Sequence, residues 1–275
     1  MKTKKTQPFW IQKDDDTSPL VTTAIHDGHL LRPEVAAIIQ LNEKERLREE
    51  DPYTGYWSTI TKSRVIGCYS RFEVDLNRPR EKAIYRNLEE AWGLEVYPKN
   101  LSDAIVNSSL ERYDAFYSAM EGLLWKKQLQ FGSFVVLDLH TYNHKRQGAN
   151  GPEADPIENP EVNLGTATML HPEKWRPLIE SFTHDLRSFT FQDRHLDVRE
   201  NIKFKGGHFP SWVHKRFAQS ACVISIEFKK FFMNEWTGEP ETIQVDKIKQ
   251  ALASTLSGIK KSLKKIHAIH QHESA

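Results

Sequence analysis

Three ionisable residues sit at or near the ends of apolar runs: His26 after Leu20 to Ile25, His140 after Phe134 to Leu139, and Glu227 within Ala221 to Phe228. In open α/β sheets, ligands bind outside the carboxyl ends of the strands. Taken singly, each histidine suits a hydrogen-bonded structural role and Glu227 a solvent-facing one, but their convergence points to a metal. Neutral imidazoles and a carboxylate are the usual ligands of catalytic zinc, with one position left open for water. Such chemistry also needs a separate carboxylate to accept the water's proton. His26 and His140 supply two nitrogen ligands. The third comes from Glu50 or Asp51, in the acidic run Glu49-Glu50-Asp51-Pro52, or from His29. Glu227 is then the general base beside the metal, and Asp138, on the same strand face as His140, orients an imidazole.

The segment Asp75-Leu76-Asn77-Arg78 is the other distinctive element. An Arg–Asn pair after a strand suits a substrate carboxylate, held by a bidentate ion pair and amide hydrogen bonds. Asp75 is placed to buttress a metal-bound histidine. Read plainly, the same four residues are a capped turn before Arg78-Pro79 ends a strand. Arg71 is the candidate cation for a developing oxyanion, or a surface ion-pair partner. His208, beside Gly206 and Gly207, either lines the pocket or simply closes a turn.

The elements that must position these residues alternate between strands and helices. Phe9 to Gln12 suits a sheet edge, and Leu20 to Ile25 a buried strand. Gly28 permits a sharp turn after His26, and Pro33 opens a helix running to Ile39. Ser63 to Tyr69 is a strand that Phe72 to Leu76 continues, and Tyr113 to Gln130 has helical spacing and feeds the strand Ser133 to His140. Asn143 to Thr168 reads as one long loop, of the kind that shapes a pocket. Helix is expected over His171 to Thr190, strand over Ile202 to Lys205 and Ala221 to Phe228, and helix over Ile243 to His267. One α/β domain over residues 1–275 with a largely buried sheet fits, with a flexible tail from about 268. The histidines at 267, 270 and 272 read as a frayed, mildly metal-binding end.

The composition bounds the partners. With 38 basic and 37 acidic residues among 275, the net charge is +1, which argues against nucleic acid as a ligand. Lys260 to Lys265 reads as a solvated helix face. No apolar run approaches a membrane span, and none follows the basic start at Met1 to Lys5, so a cytoplasmic protein and a small-molecule substrate are expected. Cys68 and Cys222 read as buried free thiols. Oligomeric state is not legible.

At these residues the sequence resembles the N-formylglutamate amidohydrolase family, a branch of the zinc carboxypeptidase-like and aspartoacylase-like hydrolases. The matching pieces are His26-Asp27-Gly28, Glu50-Asp51, Arg71 through Asp75-Leu76-Asn77-Arg78, Leu137-Asp138-Leu139-His140, Gly206-Gly207 and Ile226-Glu227. They lie in the family's order over about residues 20 to 236. The resemblance implies a mixed central sheet flanked by helices, in the zinc carboxypeptidase-like (phosphorylase/hydrolase-like) fold. It implies one zinc held by two histidines and an acidic residue, with Asn77 and Arg78 gripping the α-carboxylate and Glu227 activating water. The implied reaction is N-formyl-L-glutamate to formate and L-glutamate, a step in histidine degradation. A carboxypeptidase, a deacylase of another N-acyl amino acid, and a non-catalytic metal-binding regulatory module are the competing readings. Two departures stand out. His29 occupies the position where the wider group has an acidic ligand, three residues after the first histidine. Asp27 stands where the branch usually has serine.

Overall fold

The computed structural model describes residues 8–273. The strands are β1 (Trp10–Lys13), β2 (Leu20–Ala24), β3 (Ser63–Gly67), β4 (Phe134–Tyr142), β5 (Val162–Gly165), β6 (Val198–Glu200) and β7 (Ala221–Lys229). The helices are α1 (Pro33–Ala36), α2 (Glu43–Glu49), α3 (Thr54–Trp57), α4 (Asp103–Phe131), α5 (Pro172–Ser188), α6 (His208–Arg216) and α7 (Thr242–Glu273). The strands form one seven-stranded sheet in the order β1-β3-β2-β4-β7-β5-β6. The middle four run parallel, while β1 pairs antiparallel with β3 and β5 antiparallel with β7. The sheet is therefore mixed, as the resemblance implied.

Side chains alternate across a strand, and here that alternation creates the site. In β4, Val135, Leu137 and Leu139 pack into the core that holds Trp175, Leu178 and Phe182 of α5 and Ile248 and Leu252 of α7. Phe134 and Val136 point to the opposite core, with Phe116, Met120 and Leu124 of α4 and Phe209 of α6. Two further steps along that second face come Asp138 and then His140. β7 repeats the pattern: Ala221 and Val223 are core, and Ser225 and Glu227 follow on the same face. One face of the sheet thus changes from apolar to ionisable toward the carboxyl ends of the parallel strands.

The segment carrying Asp51 is held from both sides. Asp51 N–H donates to His26 O at 2.9 Å, and Thr54 Oγ1 donates to Asp51 O at 2.6 Å. Downstream, Trp57 is fully buried and its Nε1 donates to Val245 O of α7 at 3.0 Å. At Gly28 a Cβ would stand 2.2 Å from the carbonyl carbon of Cys68, so this turn accepts no side chain.

Several elements depart from expectation. The long loop is interrupted by β5, whose four residues are fully buried between β6 and β7. Residues 202–205 do not form a strand; pairing with β5 falls to Val198–Glu200 instead. Residues 72–76 form no strand but a turn region, in which Asp75 N–H donates to Ala83 O at 2.8 Å. His208 opens a nine-residue helix rather than a simple turn. Helix α7 continues to Glu273, so the backbone at 268–273 is helical; the side chains at 267 and 269–273 lie outside the described residues, as do Met1 to Lys5. Cys68 and Cys222 are free thiols, Cys222 buried and Cys68 half-buried. Among the described residues, no helix is long and apolar enough to cross a membrane.

Candidate metal centre and active site

His26, Asp51 and His140 are buried together, and their ligand atoms lie within 4.8 Å of one another. Asp51 Oδ2 is 2.9 Å from His140 Nδ1 and 3.4 Å from His26 Nδ1. Each imidazole turns its other nitrogen to a second carboxylate. His26 Nε2 is 2.8 Å from Asp75 Oδ1, and His140 Nε2 is 3.0 Å from Asp138 Oδ2. Those carboxylates are themselves held. Thr23 Oγ1 donates to Asp138 at 2.7 Å, and Asp75 accepts from Asn77 N–H at 2.8 Å, from Arg71 Nη2 at 2.8 Å and from the Tyr85 hydroxyl. Fixing the far nitrogen selects the tautomer whose near nitrogen carries a lone pair.

These residues fit a divalent cation. His26 Nδ1 is buried and has no hydrogen-bond partner among the described residues, although buried polar atoms are rarely left unpaired. It faces the same Asp51 oxygen that His140 faces, and a cation among the three atoms satisfies all of them. Burial opposes the Asp51 charge, yet the imidazoles of His140 and His26 facing it hold the carboxyl well below its usual range. Burial likewise works against a charged His140, but Asp138 and then Asp51 raise it well above the usual imidazole value. A cation bound here would take the place of the proton that these carboxylates favour on His140.

Of the acidic pair, Asp51 is the member that joins the histidines. Glu50 faces the other way and contacts His29 Nδ1, with Arg46 Nη1 at 3.6 Å from its other oxygen. Adjacent residues in an extended connection point to opposite sides, so the two could not both reach the site. His29, engaged with Glu50 and half-buried, is likewise outside it. Asp27 is turned to Gly55, whose N–H donates to its Oδ1 at 2.8 Å.

Glu227 is the register partner of His140 across β4 and β7. Burial pushes its carboxyl up to about 7, with His140 and Arg71 opposing and Asp51 and Asp138 reinforcing the shift. A carboxyl ionising near neutrality is suited to proton transfer. Glu227 lines a cavity of about 330 Å³ together with His26, Asp51, Arg71, Asn77, Trp92, His140, Arg146, Lys203 and Gly207.

The expected clamp is only half in that cavity. Asn77 lines it, its Oδ1 occupied by Phe209 N–H at 2.9 Å, while Nδ2 makes no hydrogen bond among the described residues. Arg78 lies behind it, stacked 4.2 Å over Tyr85 and donating to Glu90 O at 2.5 Å. Arg71 does reach the cavity wall, and the Asp75 carboxylate keeps it charged against the cost of burial. The His208 side chain is not part of the lining; its ring packs on Tyr117 and its N–H donates to Asn77 O at 3.2 Å. Arg146, Lys203, Lys230 and Trp92 also line the cavity, and no motif in the sequence marks them. Arg146 and Lys203 come from connections without periodicity, where only charge gives a signal. Lys230 follows β7, fully buried, and its Nζ donates to Glu50 O at 2.8 Å.

Parallel strands of one mixed α/β sheet thus bring His140 and Glu227 to the cavity, joined by His26 just past the end of β2 and by Asp51 from the connection after α2, and His26, Asp51 and His140 could hold a metal ion. The family profile described as FGase: N-formylglutamate amidohydrolase matches residues 18–233. The chain belongs to the N-formylglutamate amidohydrolase family. Among solved structures it is similar to an N-formylglutamate amidohydrolase from Ralstonia eutropha JMP134, with a TM-score of 0.70 at 15% identity, covering 96% of this chain and 98% of that one. A gene product of Agrobacterium tumefaciens is similar at a TM-score of 0.63 and 17% identity, covering 91% and 92%. At such identities these likenesses speak for the fold. No curated protein matches the sequence.

Proposed function

We propose that this protein is a zinc-dependent hydrolase of the amide bond in an N-acylated acidic amino acid, with N-formyl-L-glutamate as first substrate and formate and L-glutamate as products. The observation that carries the reading is the buried His26–Asp51–His140 group with Glu227 beside it on the neighbouring strand. Two imidazoles and one carboxylate favour zinc over calcium or magnesium, which prefer all-oxygen sites. When bound, the ion supplies Lewis-acid polarisation of the acyl carbonyl and a more acidic water.

The chain's own residues supply the rest. The substrate's α-carboxylate takes the open Nδ2 of Asn77, with Arg78 adding charge from behind. Arg71 faces the acyl oxygen and offsets the negative charge that develops there. Glu227 removes a proton from the attacking water. The water oxygen bonds to the acyl carbon, the carbon–nitrogen bond breaks, and Glu227 returns its proton to the leaving nitrogen. Asp75 and Asp138 hold the imidazoles throughout. This substrate fits a role in histidine degradation and a cytoplasmic setting.

The test is elemental analysis of the purified protein together with turnover of N-formyl-L-glutamate, an N-acetyl amino acid and a dipeptide. Metal near one equivalent and preferential release of formate support the proposal. Dipeptide cleavage without turnover of the formyl substrate would overturn it in favour of a carboxypeptidase.

A further inference from the structure

An acidic substrate side chain brings a second carboxylate that Asn77 and Arg71 do not account for. Of the lysines on the cavity wall, Lys203, Lys205 and Lys230 form no ion pair among the described residues, and Lys203 is the one held in place by a neutral buried side chain. Arg71 is paired with Asp75, Arg146 with Glu49 at 3.0 and 3.2 Å, and Lys230 donates to main-chain carbonyls. Lys203 lines the same cavity and forms no ion pair among the described residues. It is not a loose surface lysine. Its Nζ donates to Oδ1 of the buried Asn159 at 2.6 Å and lies 5.4 Å over the ring of Tyr142, another lining residue. Asn159 is fixed in turn, since its Nδ2 donates to Asp155 O at 2.8 Å. Burial and the charge of Arg146 both push the Lys203 ammonium below its usual value. Two like charges facing one cavity repel until an anion lies between them.

We propose that Lys203, with Arg146 on the facing loop, receives the side-chain carboxylate of the substrate and makes the site selective for dicarboxylic N-acyl amino acids. This rests on the hydrolase reading for turnover but not for binding. The two loops that carry these residues, 143–161 and 201–207, hold no catalytic group, so selectivity and chemistry are separable.

The experiment compares N-formyl-L-glutamate with its neutral isostere N-formyl-L-glutamine in the metal-loaded wild type, Lys203→Met and Lys203→Arg. Both kcat/KM and, by calorimetry, Kd are measured. The expected result is a wild-type preference for the acid that falls at least about tenfold in Lys203→Met, the size of one lost charge-assisted hydrogen bond, and is largely kept in Lys203→Arg. A preference unchanged in Lys203→Met, or equal wild-type affinity for acid and amide, overturns the proposal. Charge-selective binding lost in Lys203→Met without turnover of either compound upholds it and sinks the hydrolase reading. Should Lys203→Met fail to fold, Arg146→Met is measured in its place, and an undiminished preference there has the same overturning force.

Discussion

His140 and Glu227 face each other across neighbouring parallel strands as direct register partners. The strand bearing a proposed ligand and the strand bearing the proposed base are thus joined by main-chain hydrogen bonds, and their separation is set by the sheet rather than by a mobile loop. Such a base can be removed without disturbing the ligand. Glu227→Gln is expected to lower kcat by roughly 10²–10⁴-fold, the usual worth of a positioned base, while metal content stays near that of the wild type. Atomic absorption beside a formate-release assay checks both halves, and retained activity would show that the base has been misassigned.

Asp51 and Glu50 are neighbours with opposite surroundings, and this separates their variants. Asp51 lies between the two imidazoles, whereas Glu50 contacts His29. Asp51→Asn should abolish stoichiometric metal binding, and Glu50→Gln should retain it. Asp75→Asn, which loosens the partner of His26 without removing a ligand atom, should weaken metal affinity by about 10- to 100-fold. Competition with a chelator of known affinity ranks the three proteins. Equal metal loss from Glu50→Gln and Asp51→Asn would contradict the assignment.

Protons enter at two points, with a definite sign at each. Asp138 and Asp51 hold His140 protonated in the metal-free protein, above its ordinary range, so a metal must displace that proton and affinity should weaken as pH falls. Calorimetric titration of zinc in buffers of different ionisation enthalpy should reveal net proton release near neutral pH. Glu227, pushed up to about 7 by burial, acts only when ionised. The acid limb of kcat/KM should therefore fall as pH drops through or below about 7, since a bound cation shifts this carboxyl downward. An acid limb left unchanged in Glu227→Gln would exclude Glu227 as the base.

What the sequence disclosed and withheld follows from where each signal arises. The apolar runs before His26 and His140 and around Glu227 are properties of buried strands, so they marked both the sheet and the residues at its carboxyl ends. The partner of His26 was also legible, because Asp75 lies in a short local motif. The choice between Glu50 and Asp51 is not, since it turns on which way one residue of an extended segment faces, and there the Asp51 N–H bonds to His26 O. β5 was hidden inside a glycine- and proline-rich stretch because four buried residues give too little pattern to read. Arg78 looked like a clamp from its neighbour, and only the fold places Tyr85 and the Glu90 carbonyl beside it. Lys203 and Arg146 became visible as a pair only when two distant loops were brought to one wall.

Gly207 supplies a last prediction, on the clamp alone. A Cβ there would stand 2.3 Å from Asn77 Oδ1 and 2.4 Å from Nδ2, and it would meet no closer obstacle. Its backbone is extended, at φ −94° and ψ −163°, so alanine carries no conformational penalty. Gly207→Ala should therefore fold and bind metal normally, because the yielding partner is the end of a side chain rather than main chain. The displaced amide can no longer present Nδ2 to the α-carboxylate. The expected result is a KM raised by about tenfold, the worth of one hydrogen bond to a charged group, with a smaller change in kcat. Gly28→Ala is the contrast: its added carbon meets the main chain at Cys68, and the loss should appear as a lowered melting temperature. If Gly207→Ala left KM unchanged while its crystal structure showed Asn77 displaced, Asn77 would not be a substrate ligand.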